Sequence, residues 1–397
     1  MTKKSLFNTF ILCMALASIS FVSCKEKKQS TTTSKKDSEP EVFKTATVPE
    51  LTDFSYTLTD SGEGVLITKY LGTSDSVRIP CEIEGLPVRA LGSDLFVKSR
   101  KTLITCVIPD SVTEIRGGLF SNCKELTNVK LSKNINSISQ GMFNKCEALR
   151  TLIIPDGVKT IENGAFSFSG IQELVLPDSI TEIKNSAFYS CTCLQSIKLP
   201  TSLKVIHPQV FENCEILSSL VFPEGLEEIG SNVFTNCYGL SNVQFPSTLK
   251  KIGDNNFSCR YHEYLGKSNS ISTLEFPSEM EEFNVTFEYL AHLKSVRLPN
   301  TLEEISNNLF NDGTPLCKDT LEEINFPESL KTIDSHAFTN FSKLNNIIIP
   351  DSITSLEFKD YMDYYGENTL ICNAFKGTSL NLSTQKRLKE LGYKGEF

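Results

Sequence analysis

Apolar residues recur in one fixed order along most of the chain. An apolar residue followed by proline stands at Ile79-Pro80, Ile108-Pro109, Ile154-Pro155, Leu176-Pro177, Leu199-Pro200, Phe222-Pro223, Phe245-Pro246, Phe276-Pro277, Leu298-Pro299, Phe326-Pro327 and Ile349-Pro350, with Leu131-Ser132 in the one gap. Most of these pairs are 22 or 23 residues apart. Each unit reads L-x-x-I-x-I-P, then an apolar residue, an Ile three later, a Phe five after that, and often a Cys three beyond the Phe. Leu194, Ile197, Leu199-Pro200, Leu203, Ile206, Phe211 and Cys214 make one clean copy. The alternating tail predicts a short strand with one buried face. Proline ends that strand because it has no N–H to give to a ladder. The next apolar pair predicts a second short extended segment. The Phe then plugs the far turn, with the small Cys beside it. No unit can bury its own apolar rows, but stacked units bury them against each other. The expected fold class is a mainly β repeat solenoid of short parallel strands. Its eleven strand rungs, at about 4.8 Å each, make a sheet roughly 50 Å long. After the last rung, Ser383 is a candidate N-cap, Gln385 to Leu391 read helical and Gly392 fits a C-cap, so residues 381–397 predict a capping helix.

The unit of about 23 residues, with Pro after the strand and the segment Ala187-Phe188-Tyr189-Ser190-Cys191, resembles the BspA-like leucine-rich repeat of Bacteroidota surface proteins. Residues 56–96 resemble the N-terminal entry unit of that family, through Leu66-Ile67-Thr68-Lys69-Tyr70-Leu71-Gly72, Val77-Arg78-Ile79-Pro80 and Gly85-Leu86-Pro87-Val88. The resemblance covers about residues 56–380. It implies a right-handed leucine-rich-repeat superhelix, with an entry unit over 51–96 and repeats over 97–380. It also implies a non-catalytic cell-surface protein that adheres to host matrix proteins or other cells, and it names no ligand.

The first residues read as a targeting segment. Lys3 and Lys4 precede an apolar stretch from Leu6 to Val22, interrupted by Asn8, Thr9, Ser18 and Ser20. That stretch is too short and too polar to predict a membrane span. It ends in Phe21-Val22-Ser23-Cys24, which resembles a bacterial lipobox with Phe21 where Leu is commoner. The resemblance implies removal of residues 1–23 and acylation of Cys24. Each buried methylene then contributes roughly 0.8 kcal/mol, so two or three chains hold a protein on a membrane. An ordinary signal peptide followed by a chance cysteine is the competing reading. Residues 24–50 are Ser/Thr/Lys/Glu-rich and too polar to offset their ordering entropy, so a flexible tether is expected. The expected location is an outer-membrane lipoprotein on the cell surface. The mixed run Lys25-Glu26-Lys27-Lys28 leaves the periplasmic face open.

Charge narrows the partners. A formal net charge of −9, more negative once Lys3 and Lys4 are removed, argues against nucleic acid and against an electrostatic membrane patch. Membrane contact is therefore expected through the lipid alone. Thirteen cysteines in an exported chain suggest disulfides. The repeat explains most of them otherwise, because Cys123, Cys146, Cys191, Cys214 and Cys237 each stand three residues after a repeat Phe and predict a buried column of small side chains. Bridges stay open for Cys81, Cys106, Cys193, Cys259, Cys317 and Cys372. The four histidines, His207, His262, His292 and His336, occupy different repeat positions and have no cysteines at metal-ligand spacing. His262-Glu263-Tyr264-Leu265-Gly266 begins like a zincin motif but lacks its second histidine. Gly266-Lys267-Ser268 mimics a P-loop end, with Tyr261 where the first glycine belongs. No catalytic constellation, metal or cofactor is expected.

Two features depart from a plain repeat. The Phe-to-Leu interval, normally 6 residues, is 14 from Phe257 to Ile271 and 11 from Phe310 to Leu321, and 19 residues replace 5 between Leu356 and Phe375. The first insertion carries Arg260, Tyr261, His262 and Tyr264, and the last carries Phe358, Tyr361, Tyr364 and Tyr365. Such aromatics suit recognition of a protein or a surface glycan, or they cover the solenoid flank. The second feature is the outward strand row Val107, Lys130, Ile153, Val175, Lys198, Val221, Gln244, Glu275, Arg297, Asn325, Ile348, with several apolar members in its first half and mostly polar ones later. It runs beside the small polar row Asn128, Thr151, Ser196, Ser219, Asn242, Thr273, Ser295. It is either a docking face or an ordinary solvated strand face. Protein binding or adhesion leads the functional expectations, ahead of an envelope assembly role and a glycan-binding accessory role.

Overall fold

The computed structural model describes residues 40–259, 268–287, 290–310, 316–359, 361–362, 368–370 and 372–397. The L-x-x-I-x-I segments form a front ladder of three-residue strands: Ser76–Arg78, Thr105–Val107, Asn128–Lys130, Glu173–Val175, Ser196–Lys198, Ser219–Val221, Asn242–Gln244, Thr273–Glu275, Ser295–Arg297, Glu323–Asn325 and Asn346–Ile348. Hydrogen-bonded neighbours run parallel and in register, as in Glu173↔Ser196 and Val175↔Lys198. The middle residue of each strand points inward, and the first and third point outward. Thr151, Leu152 and Ile153 fill the rung before Glu173–Val175 without forming a strand, yet Leu152 is still buried. The apolar pair after each proline builds a rear ladder of two-residue parallel strands. Its longest run joins seven, from Ser137–Ile138 to Glu282–Phe283.

The third side is the Phe turn. In successive units the Phe N–H donates to the residue before the next Phe: Phe143 to the Ala165 carbonyl, Phe166 to Ala187, Phe188 to Val210 and Phe211 to Val233. Reaching across twice more requires the backbone to turn left-handed on either side. Gly118, Gly141, Gly164, Ser186, Gln209, Asn232 and Asn255 have positive φ two residues before the Phe. Asn122, Lys145, Phe168, Ser190, Asn213 and Asn236 have it two residues after. Glycine and asparagine dominate because they tolerate that region best. The rings stack from Phe96 through Phe120, Phe143, Phe166, Phe188, Phe211 and Phe234 to Phe257, with centroids 5.1–6.3 Å apart and interplanar angles of 5–21°. Beyond the first insertion the column continues as Phe287, Phe310, Phe338 and Phe375. Phe245 and Phe276 carry aromatic contact past the insertion, since Phe245 meets Phe257 and Phe276 meets Phe287.

The cysteine column behaves as the spacing predicts. Cys146, Cys191, Cys214 and Cys237 are buried, and each thiol donates to the carbonyl of the preceding unit's Phe, at 3.1–3.2 Å. Burial pushes the Cys123 and Cys191 thiols up to about 12, so they stay protonated donors. Outside the column, Cys106, Cys259 and Cys317 are buried thiols, Cys193 is half-buried and Cys81 is exposed; none of these five is bridged. Two residues after the proline, the Ser179, Ser202, Thr248 and Ser329 hydroxyls donate to backbone carbonyls of the preceding unit, and Ser132, which stands in place of a proline, donates to the equivalent Val112 carbonyl.

The ends are closed differently. At the N-terminal end a hairpin of Phe54–Leu58 and Val65–Tyr70 leads through Leu86–Leu91 into Glu114–Ile115 of the rear ladder. Tyr70 lies between Phe54 and Phe96 and starts the ring column. At the other end the capping helix spans Leu382–Glu390. Its N-cap is Asn381, whose side chain accepts from the Thr384 N–H; Ser383 is the second residue of the helix and donates to the same Asn381 oxygen. The amide oxygen of Asn381 therefore takes the role expected of Ser383. Leu388 is buried, and Tyr393 and Phe397 pack on Phe375. The tether also ends sooner than its composition predicts. Residues 41–47 form an arm docked on the first front rungs, beginning with the one-turn helix α1, Glu41–Lys44.

Two measurements check this architecture. Phe188→Ala should cost roughly 3–5 kcal/mol in chemical denaturation, because the ring is fully buried between two others. Phe168→Gly, at an exposed left-handed position, should shift stability by no more than about 1 kcal/mol. In the folded protein a thiol reagent should modify Cys81 first and Cys193 more slowly. Cys106 and the five column thiols should react only on unfolding; prompt labelling of the column would contradict its burial.

Candidate binding surface

The residues singled out by sequence fall into three groups. Cys24, Arg260, Tyr261, His262, Tyr264, Tyr364 and Tyr365 lie outside the described residues. Tyr361 belongs to a strand, Tyr361–Met362, paired antiparallel with Asn368–Leu370. Phe358 ends the rear-ladder strand Glu357–Phe358 and packs against the core, 5.1 Å from Tyr393 and 6.3 Å from Phe375. It closes the C-terminal end of the core instead of standing on a presented loop.

The outward row of the front ladder divides into three zones. Over the first rungs it is covered. The arm places α1 above Thr105–Val107 and Asn128–Lys130, and Thr105 and Val107 are consequently buried. Ala46 is buried and Phe43 half-buried in return. Thr47 forms a parallel bridge to Val77, the Arg78 N–H donates to the Thr47 carbonyl and the Thr47 hydroxyl donates to the Ser76 carbonyl. The Arg78 guanidinium donates to the Phe43 carbonyl at 2.6 Å, a cation at the C-terminal end of a helical turn. Past the arm, a cavity of about 650 Å³ is bordered by Val48 and Leu51 on one side and by Arg78, Cys81 and Val107 on the other.

The middle zone is open and aliphatic. Ile153 is 86% exposed, Val175 62% and Val221 72%, with exposed Lys198 between the last two in register. The small Ser196 and Ser219 beside them leave a groove of about 520 Å³ over Val175, Lys198 and Val221. Further along, the outward side chains are polar from Gln244 to Asn325, before the half-exposed Ile348. Asn325 accepts from the Leu298 N–H at 2.6 Å, and Asn346 donates to Glu323 at 2.7 Å. On the rear side, ion pairs run between neighbouring units, Lys184 with Glu162 and Lys250 with Glu227, and the His207 Nε2 lies 2.8 Å from the Glu182 carboxylate, within hydrogen-bond distance.

Chemically, this surface offers apolar contact, backbone-binding cations and little else. Among the described residues no group of three His, Cys, Asp or Glu side chains is placed to hold a metal ion. No described helix is long and apolar enough to cross a membrane. Sequence reasoning located the outward row but missed the arm. Its signal was the Val42-Phe43 pair at the end of an otherwise polar stretch.

Comparison with known proteins agrees with this architecture. The model of the BspA-type leucine-rich repeat region matches as six copies, over residues 76–170, 159–284 and 263–365. A search of curated proteins finds no significant match. Among solved structures, a leucine-rich repeat protein from Bacteroides ovatus is similar with a TM-score of 0.58 and 21% identity, over 77% of this chain and 88% of that one. A leucine-rich repeat protein of T. pallidum shares 31% identity over 49% of this chain and 92% of its own, with a TM-score of 0.47. The pneumococcal vaccine antigen PcpA shares 18% identity over 88% and 98% of the two chains, with a TM-score of 0.46. With the match spanning most of the chain, and with ladder, ring column and entry unit in the register its repeat demands, this protein belongs to the BspA-type leucine-rich repeat family.

Proposed function

We propose that the protein is a non-catalytic binding scaffold, held on the outer membrane through an acylated Cys24, that presents its front ladder to a protein ligand such as a host matrix protein or another cell surface. The observation that carries this reading is the exposed aliphatic zone. A parallel ladder ordinarily has both faces covered. Here the outer face bears Ile153, Val175 and Val221 in water, on rungs that lie ~5–10 Å apart. A surface selected only for solubility would place polar groups there, as the rungs from Gln244 to Asn325 do. The lipobox-like Phe21–Cys24 and the BspA-type repeats support the anchor and the outward location.

Cys24→Ala should move the protein from the membrane fraction to the soluble fraction; retention of the variant in membranes would remove the anchor from the proposal. Protease treatment of intact cells should cut the solenoid, and complete protection would sink the adhesion reading. In pull-downs against purified host matrix proteins, at least one should be retained above a repeat-free lipoprotein control.

A further inference from the structure

The Phe turn carries one residue that its repeat does not ask for. Two residues after successive rings stand Asn122, Lys145, Phe168, Ser190, Asn213 and Asn236, all left-handed. They stack one per unit, as the Lys145 N–H donates to the Ser167 carbonyl and the Phe168 N–H to that of Tyr189. Asn suits this backbone, whereas a bulky aromatic residue there is an outlier that the surroundings must hold in place. Burial does not compensate, because Phe168 is 43% exposed. The unit is irregular at the same spot. Its return from Phe166 to Ile171 takes 5 residues where the units on either side take 6. Gly170 fills the shortened corner, where a Cβ would collide with the Arg150 guanidinium that crosses it. Arg150 is held there by donating to the Glu147 and Gly170 carbonyls. Around the exposed ring the groups are polar. Tyr189 meets it edge-to-face at 5.4 Å, and the Lys145 Nζ lies 5.7 Å from its centroid. From the other side the Asn236 amide donates to Asn213 at 2.7 Å, and the Asn213 amide donates to the Ser190 Oγ at 3.3 Å. Ser190 is the acceptor that ends this relay, so its own O–H is left to donate beside the ring.

We infer that this turn is a carbohydrate site for an acidic pyranose, on a different side of the solenoid from the front ladder. The Phe168 ring takes the C–H face of the sugar, and the Ser190 and Tyr189 hydroxyls bond the hydroxyl groups at its rim. Lys145, with Arg150 beside it, holds the sugar's carboxylate. A protein side chain matches less well, since a lone ring inside a polar rim offers little apolar area to bury. A neutral sugar leaves the cations unused. Two cations beside one ring stand out in a chain of net charge −9, and Glu147 in the adjoining row is already paired with Lys124 at 2.7 Å. The site adds a glycan to the partners of this protein and does not depend on the front face.

The probe is a hyaluronan hexasaccharide, in which every second residue is a uronate, titrated into the full chain. Saturation-transfer NMR should show the sugar C–H protons receiving magnetisation from aromatic side chains, and calorimetry should show binding that weakens with added salt. Phe168→Asn gives this unit the residue its neighbours carry, so the fold and the protection of the column thiols should be kept. That variant should lower the affinity roughly tenfold. Lys145→Gln should lower it about threefold or more and flatten the salt dependence. Val175→Asp on the front ladder should leave it unchanged. Chitohexaose, built of uncharged pyranoses, should bind roughly tenfold more weakly than hyaluronan. No binding of hyaluronan, or equal binding to Phe168→Asn, would overturn the site. Chitohexaose bound as tightly as hyaluronan would overturn the acidic ligand.

Discussion

The regular units from Phe120 to Phe234 each depend on the next one for their backbone partners in the Phe turn. The N–H groups at and around each repeat Phe point along the solenoid axis, and the carbonyls that accept them belong to the following unit. A buried amide without a partner costs ~1–3 kcal/mol, so a turn of this shape is stable only inside a stack. The left-handed residues on either side of the ring are what aim those groups along the axis. The ring then fills the space the turn encloses, and the thiol three residues on donates back to the previous Phe carbonyl. Stacking at near-constant spacing follows from this backbone device. The parallel ladders on the other two sides inherit their register from it.

Because the turn and the inward strand positions are dictated by stacking, the outward positions are free to vary, and they do so in blocks. The first block lies beneath the chain's own arm, the second is aliphatic and open, and the third is mostly polar, with Asn325 bonded to a backbone N–H and Asn346 to Glu323. Such zoning does not arise from the repeat, which treats all rungs alike. Phe168 is a second place where the repeat is overridden. It holds a bulky ring in a left-handed conformation where neighbouring units have Asn, Lys or Ser, and it is half in water against Tyr189 and below Lys145.

Most of the fold was legible because the repeat states each position eleven times over. One ambiguous Leu or Phe is resolved by its counterparts above and below. The cysteine column and the proline stops were read from spacing for that reason, and the entry unit from its resemblance to that of the family. What was hidden occurs once. Asn381 displaces Ser383 as the helix cap, although both are good capping residues, and sequence alone does not say which one the chain brings to the helix end. Phe358 looks like a loop aromatic because an insertion follows it, yet it sits at the Ile position of the rear strand, where any large apolar residue is drawn inward. The arm was masked by its composition: two apolar residues among charges bury little area alone, and only the aliphatic row beneath them makes their docking favourable.

The arm also determines how a pull on the N-terminus enters the molecule. Tension transmitted through the residues before Glu41 meets α1, the Arg78 contact and the Thr47 bridge before it reaches the first ladder strand. These are few, solvent-facing bonds, whereas the rungs behind them are locked by two ladders and a ring column. The seven residues of the arm span about 25 Å when extended, and it is their docking that keeps Thr105 and Val107 out of the open aliphatic surface.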